Sequence, residues 1–274
     1  MNLKIFLFTM VFVVIAVNIC SGAFEHIPSS TMSLSTGHVS ELPVFHPADI
    51  FTNPASIVYG DFSTEASWGR LFNQKDLNYG VCAISIPNRM MNIGIIGSTF
   101  GNQIYRETIL SVSGGRQILK NFQVGIGLSL YQLSIDQYGN TNVPGLNISW
   151  RYTAIPGFVW TTQIRNLNAP VIGTDEETLP QSVTTGLATK MNRKFFACAE
   201  WEHDLEFQGR LKFGVIYFPL DELSLSAGFC SSPGEITTGF SYRRHNIYVE
   251  YAAVITQNIN QLSQQVSLGF SYPH

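Results

Sequence analysis

A chain of 274 residues with 45% hydrophobic and only 13% charged side chains departs from an ordinary soluble domain, where roughly a quarter of residues are charged. The same apolar content excludes a disordered polymer. A formal net charge of −3, with no Lys/Arg cluster long enough to follow a phosphate backbone, excludes nucleic acid as a partner.

The chain opens with Lys4, an apolar run from Ile5 to Val17, and the small residues Ser21, Gly22 and Ala23. This is the order of a secretory signal peptide, so residues 1–23 are expected to be a leader cleaved near Ala23 or Phe24. Cys20 raises the alternative of a lipoprotein, but the bulky Ile19 before it argues against lipidation. Residues 24–64 then show no alternation; they carry Gly37, Pro43, His46, Pro47 and the run Asp49 to Ala55, together with apolar residues such as Ile27, Phe45, Ile50, Phe51 and Ile57. That much apolar side chain is expected to pack against something, and the inside of a barrel is the obvious place. The segment is read as a periplasmic plug.

From residue 65 onward the pattern has a period of two. Phe122, Val124, Ile126, Leu128 and Leu130 alternate with Gln123, Gly125, Gly127, Ser129 and Tyr131, and similar alternation recurs at 210–217, 223–230, 236–243 and 266–272. No run of about 18 apolar residues follows the leader, so no transmembrane helix is expected. About fourteen strands are predicted, near 65–72, 77–87, 91–100, 104–117, 121–135, 145–153, 157–166, 181–190, 194–203, 207–218, 222–230, 235–243, 246–254 and 262–272. Short connections (88–90, 154–156, 191–193, 219–221) fall among longer ones (136–144, 166–180, 255–261). The expected fold is therefore all-β, a transmembrane antiparallel up-and-down barrel over residues 65–274. A secreted soluble sandwich is the rival, but its polar face should be rich in Lys and Glu, and here that face is Gly, Ser, Thr, Asn and Gln. Trp68, Trp150, Trp160, Tyr217, Tyr242 and Tyr272 suit interfacial girdles facing outer-membrane lipid.

Little in the sequence points to catalysis. Cys82, Cys198 and Cys230 form no metal-ligand spacing and are read as small residues on the polar side of their strands, so no metal or cofactor is expected. Glu200 and Glu202 share one face, as do Arg210 and Lys212 on the next strand; a turn near Asp204 to Glu206 would bring the four together as a lumenal charge network. Paired carboxylates could act as general acid and base, but cross-strand charge pairing in a lumen too narrow for an open pore is the better reading. Arg151, Arg165, Lys190, Arg243 and Glu250 are also expected to face inward. His203 beside Asp204 lacks a nucleophile, and no enzymatic activity is expected.

A leader, a segment ending in Asn53-Pro54-Ala55 and about fourteen alternating strands resemble the FadL-type outer-membrane barrels, closest to the PorV/PorQ branch associated with type IX secretion in Bacteroidota. Tyr138-Gly139, Asn166, Glu177-x-Leu179-Pro180 and Gly186 are further points of similarity; the Gly/Ala-rich stretch usual before Asn-Pro-Ala is reduced to 36–47, and the chain ends Tyr272-Pro273-His274 rather than on an aromatic residue. The resemblance implies a non-enzymatic outer-membrane component of type IX protein secretion or surface attachment that binds secretion-system or cargo proteins through its loops, with Asp175, Glu176 and Glu177 as candidate external contacts. The alternative it implies is a FadL-like channel for uptake of hydrophobic small molecules. A small, polar inward face argues against the second, and whether the inward glycines admit a ligand or receive the plug stays open.

Overall fold

The computed structural model describes residues 22–59, 61–173, 177–205, 209–257 and 259–272, so the expected leader up to residue 21 lies outside the described residues. Fourteen strands close into one antiparallel barrel: β1 (Phe62–Arg70), β2 (Asn78–Ile86), β3 (Asn92–Gly101), β4 (Tyr105–Leu119), β5 (Phe122–Ile135), β6 (Gly139–Ile155), β7 (Phe158–Arg165), β10 (Ser182–Lys190), β11 (Phe195–Asp204), β12 (Arg210–Leu220), β13 (Leu223–Cys230), β14 (Glu235–Arg244), β15 (Ile247–Thr256) and β16 (Gln261–Tyr272). Each pairs with its neighbour in sequence, and β16 closes on β1 from Phe62↔Tyr272 to Arg70↔Gln264. Two short strands, β8 (Val171–Ile172) and β9 (Glu177–Thr178), pair with each other inside the β7–β10 loop. Closure leaves no unpaired edge, which is what a backbone surrounded by hydrocarbon requires.

The two faces of every strand differ as the alternation demands. Leu110, Leu128 and Leu268 are 56%, 64% and 58% exposed on the outside, while Ser111, Ser129 and Ser267 are buried inside. Trp68, Trp160, Tyr242 and Tyr272 are exposed on the outer face, with Trp150 and Tyr217 half-buried beside them. An apolar girdle running round a whole barrel far exceeds the few hundred Å² of contiguous apolar patch that soluble monomers show. The solvent of this surface is lipid.

Three sequence expectations change. The first strand starts at Phe62, three residues before the expected boundary. The expected loop 136–144 is mostly strand: β6 begins at Gly139, and Gly139 to Pro144 continue the ladder with β5 from Ile135 to Leu130. Polar Asn140, Thr141 and Asn142 hid that extension, because a hairpin standing clear of the membrane has no apolar face to alternate. Cys82 is exposed on the outer face, between inward-facing Val81 and Ala83, whereas Cys198 and Cys230 are buried inside. Its small neighbours Gly80 and Ala83 had blurred the parity.

The N-terminal segment lies within the barrel. Helix α1 (Thr31–Ser35) is capped by Ser30, whose Oγ accepts from Ser33 N–H at 3.0 Å, and it packs on β13 to β15, where Ser226 Oγ donates to Ser35 Oγ at 2.6 Å. Two 3₁₀ turns follow, Pro47–Ile50 and Pro54–Tyr59, each opened by proline, which suits the first position of a helical turn. The inward glycines make room for this backbone. A Cβ on Gly125 would collide with Pro54 and Ala55, and one on Gly228 with Thr36 and Gly37. The glycines therefore receive the segment. Phe24, Ile50, Phe51 and Ile57 build a core with Val81, Ile96, Ile109 and Tyr131 of the wall.

Candidate functional site

The barrel has two unlike ends. The connections β2–β3, β4–β5, β6–β7, β10–β11, β12–β13 and β14–β15 are short, and the β1–β2 and β7–β10 connections at the opposite end are the long ones. By the rule that short turns are periplasmic, the chain enters β1 and leaves β16 on the periplasmic side. The N-terminal segment nonetheless begins near the outer end. Ala23 N–H donates to Glu177 Oε1 at 2.8 Å in the long loop, and Phe24 N–H donates to Glu107 Oε1 at 2.9 Å near the outer end of β4. From there it descends to Pro54–Tyr59, packed on β4, β5 and β6.

Between this segment and the long loops lies a cavity of about 760 Å³. Ile27 and Leu34 of the segment, Leu71, Phe72 and Leu77 of the β1–β2 connection, and Phe100 of β3 give it apolar walls. Arg165, Glu202, Arg210 and Lys212 give it a charged floor on the other side. A cavity of this size takes a small organic molecule. Its apolar lining was only partly legible in the strands because the inserted segment and the β1–β2 connection supply Ile27, Leu34, Leu71, Phe72 and Leu77.

The four residues expected to form a charge network stand on facing strands, but they divide into two groups. Glu202 is buried and meets Lys212 Nζ at 2.5 Å, Arg210 at 3.2 Å and Arg165 at 3.8 Å. Glu200, directly opposite Lys212 in the ladder, turns instead to the N-terminal segment. Its Oε1 accepts from Ser40 N–H at 2.8 Å, Ser40 Oγ at 2.8 Å and Glu41 N–H at 3.2 Å. Gln163 donates to the same Ser40 hydroxyl, and Arg151 Nε donates to Glu41 Oε1 at 2.8 Å. Ser40 lines both the outer cavity and a second one of about 290 Å³ bounded by Pro43, Phe45, His46 and Asp49. This cluster is the partition between them.

Pro54 and Ala55 sit against the inner wall beside Gly125, with Ala55 N–H donating to Ser149 Oγ at 2.7 Å, while Asn53 Nδ2 donates within the segment to Glu41 Oε2 at 3.4 Å. Asp175 and Glu176 lie outside the described residues, and Glu177 is exposed but binds the chain's own Ala23 N–H. Asn166 anchors the long loop, with its Nδ2 donating to Pro180 O at 2.9 Å and Tyr131 O–H donating to its Oδ1 at 2.8 Å.

One cluster has no counterpart in the sequence reading. His46 of the segment lies between Glu65 of β1 and Glu250 of β15, at 3.7 Å from each, with all three side chains almost wholly buried. Burial opposes a charge on His46, but Glu250, Glu65 and Asp49 outweigh it and raise its pKa to about 9. Nothing in local spacing joins residues so distant in the chain; only barrel closure brings β1 and β15 to either side of β16. At the outer end, His26 shows the opposite balance: packed against Tyr79 and Phe100, it is desolvated, and with His38 nearby its pKa falls to about 4.

Known structures share this architecture. The Pseudomonas putida toluene transporter TodX superposes with a TM-score of 0.71 at 12% identity, over 90% of this chain and 99% of TodX. The fold is that of the FadL-type outer-membrane barrels. The monoaromatic hydrocarbon channel CymD gives 0.69 at 11% identity over 92% of this chain and 100% of its own, and a Pseudomonas aeruginosa FadL homologue gives 0.60 at 10% over 89% and 98%. No protein-family model and no curated protein matches the sequence. The resemblance read from the sequence thus holds at the level of the FadL-type barrel, and nothing in the comparisons singles out the PorV/PorQ branch.

Proposed function

We propose that this barrel is an outer-membrane channel for uptake of hydrophobic small molecules, with residues 24–58 as its plug. The observation that carries the reading is the outer cavity of about 760 Å³, whose apolar wall includes Ile27, Leu71, Phe72 and Leu77. A hydrophobic solute arriving from outside would lose its water there, at about 25 cal/mol per Å² of apolar surface buried. Passage onward requires the partition at Ser40, Glu200 and Gln163 to open. Neighbours of the same fold named for toluene and monoaromatic hydrocarbon transport support the reading. A secretion or attachment role through the acidic loop has less behind it, because none of these neighbours is named for protein export.

The reading is tested by titrating the detergent-solubilised barrel with a monoaromatic hydrocarbon and, separately, with an uncharged alkane. Saturable binding by wild type, weakened about tenfold or more by Phe100→Asp or Leu71→Asp, is expected. Absence of binding, with a protein partner recovered on mild extraction, would reinstate the secretion reading.

A further inference from the structure

The cluster of His46, Glu65 and Glu250 lacks a partner that the protein itself does not supply. His46 Nδ1 and Nε2, Glu65 Oε1 and Glu250 Oε1 are all buried without a hydrogen bond. The remaining carboxylate oxygens are held from behind: Tyr248 O–H donates to Glu65 Oε2 at 3.1 Å, and Ser267 O–H to Glu250 Oε2 at 3.2 Å. Among the described residues no Lys or Arg forms an ion pair with either glutamate; the nearby Arg243 guanidinium stacks on the Tyr248 ring, 4.6 Å from its centroid. Two carboxylates buried around one imidazole leave negative charge without a counter-ion, which is costly in a medium that excludes water. Asp49, next on the same segment, is already occupied by Ser30 N–H and Oγ, both at 2.8 Å.

The donor atoms converge. One from each of His46, Glu65 and Glu250 lies within 4.8 Å of the others. Ligand atoms bound tetrahedrally to a common Zn²⁺ at about 2.0–2.2 Å stand about 3.5 Å apart, so the three side chains must draw together by about 1 Å to close on one ion. One imidazole nitrogen with two carboxylate oxygens is a donor set that suits a divalent transition metal, and the hydroxyls of Tyr248 and Ser267 are the kind of outer contacts that fix ligating carboxylates. The way in exists, because His46 and Asp49 line the inner cavity of about 290 Å³.

We propose that His46, Glu65 and Glu250 bind a single divalent transition-metal ion of the Zn²⁺ type, with the inner cavity supplying water for its remaining position. The ion ties the N-terminal segment to β1 and β15, on either side of the β16 seam that closes the barrel. It is a clasp on the plug, separate from the outer cavity and from the identity of any transported solute.

The test uses the full-length folded barrel in detergent, stripped with a chelator and titrated with Zn²⁺ and then with Co²⁺. The expected result is one ion per chain, a Co²⁺ visible spectrum of low coordination number, and slower proteolysis of residues 24–58 when metal is bound. Glu65→Gln and Glu250→Gln should each weaken binding at least a hundredfold, Tyr248→Phe about 10–100-fold, and the exposed control Glu222→Gln not at all. Folding of each variant is checked by heat-modifiable gel migration; if a glutamine variant does not fold, the wild-type stoichiometry and Co²⁺ spectrum decide by themselves. A folded wild-type barrel that takes up no ion, or one whose binding survives both glutamine substitutions, overturns the proposal and leaves His46 as an imidazolium shared by two carboxylates.

Discussion

Two buried charge clusters on the inner wall follow opposite designs. Around Glu202 three cations, Arg165, Arg210 and Lys212, converge on one carboxylate, and all four belong to the wall. Around His46 two carboxylates share one imidazole, and the imidazole belongs to the inserted segment. The first cluster is drawn from wall strands alone, so it stiffens the barrel whether or not the segment is in place. The second joins segment to wall and is left short of positive charge, so its stability depends on what else occupies it.

The contrast sets the predictions. The largest effect is expected from Glu202→Ala, which leaves the mostly buried Arg165 and Lys212 and the partly exposed Arg210 without their carboxylate and should cost up to about 3 kcal/mol of barrel stability, read from denaturant unfolding in detergent. Next comes Gly125→Leu, whose side chain would occupy the space of Pro54 and Ala55. Overpacking of this kind costs about 1–3 kcal/mol, and it should appear as rapid protease cleavage of residues 24–58 while the barrel itself remains resistant. Glu250→Gln in metal-free protein should cost less than Glu202→Ala, because Glu65 remains beside His46 when one of the two crowded carboxylates is relieved. A loss as large as that at Glu202 would erase the distinction between the clusters.

The smallest effect concerns pH at the outer end of the segment. His26 has its pKa depressed from 6.5 to about 4 by burial and by His38. Its contribution is therefore complete above about pH 6.5 and is lost as pH falls through about 4. Protease sensitivity of the segment's first residues should rise over that window, and His26→Phe, which keeps the ring between Tyr79 and Phe100, should flatten the rise.

Legibility in the sequence followed the same division. The wall could be read because each strand carries its own evidence: Leu110, Leu128 and Leu268 point to lipid and their neighbours inward, and a period of two needs no knowledge of partners. Glu202, Arg210 and Lys212 were legible for that reason, being paired through one hairpin. The departures fall where this evidence thins. Gly139 to Asn142 extend β6 beyond the lipid and so carry no apolar face, and Cys82 sits among small residues that mask which way it points. The lumen was harder still. Ile27, Leu71 and Phe72, which lie outside the barrel strands, contribute to its apolar lining beside Phe100 and Leu133 of the wall, and the His46 cluster joins residues that meet only when the barrel closes around the segment. A small, polar strand face counted against transport because the segment, although expected in the lumen, was read as filling it and not as lining a cavity.

Uptake across a living outer membrane tests the central claim most directly, because a lipopolysaccharide leaflet resists hydrophobic solutes that cross simple bilayers unaided. Cells of an outer-membrane-bearing host would be given a labelled monoaromatic hydrocarbon with and without this barrel, alongside barrels carrying Phe100→Asp. Faster accumulation with the wild-type barrel, reduced toward the barrel-free rate by Phe100→Asp, is the predicted result. Equal accumulation in all three, with the barrel folded in the outer membrane, would contradict a role in hydrophobic uptake.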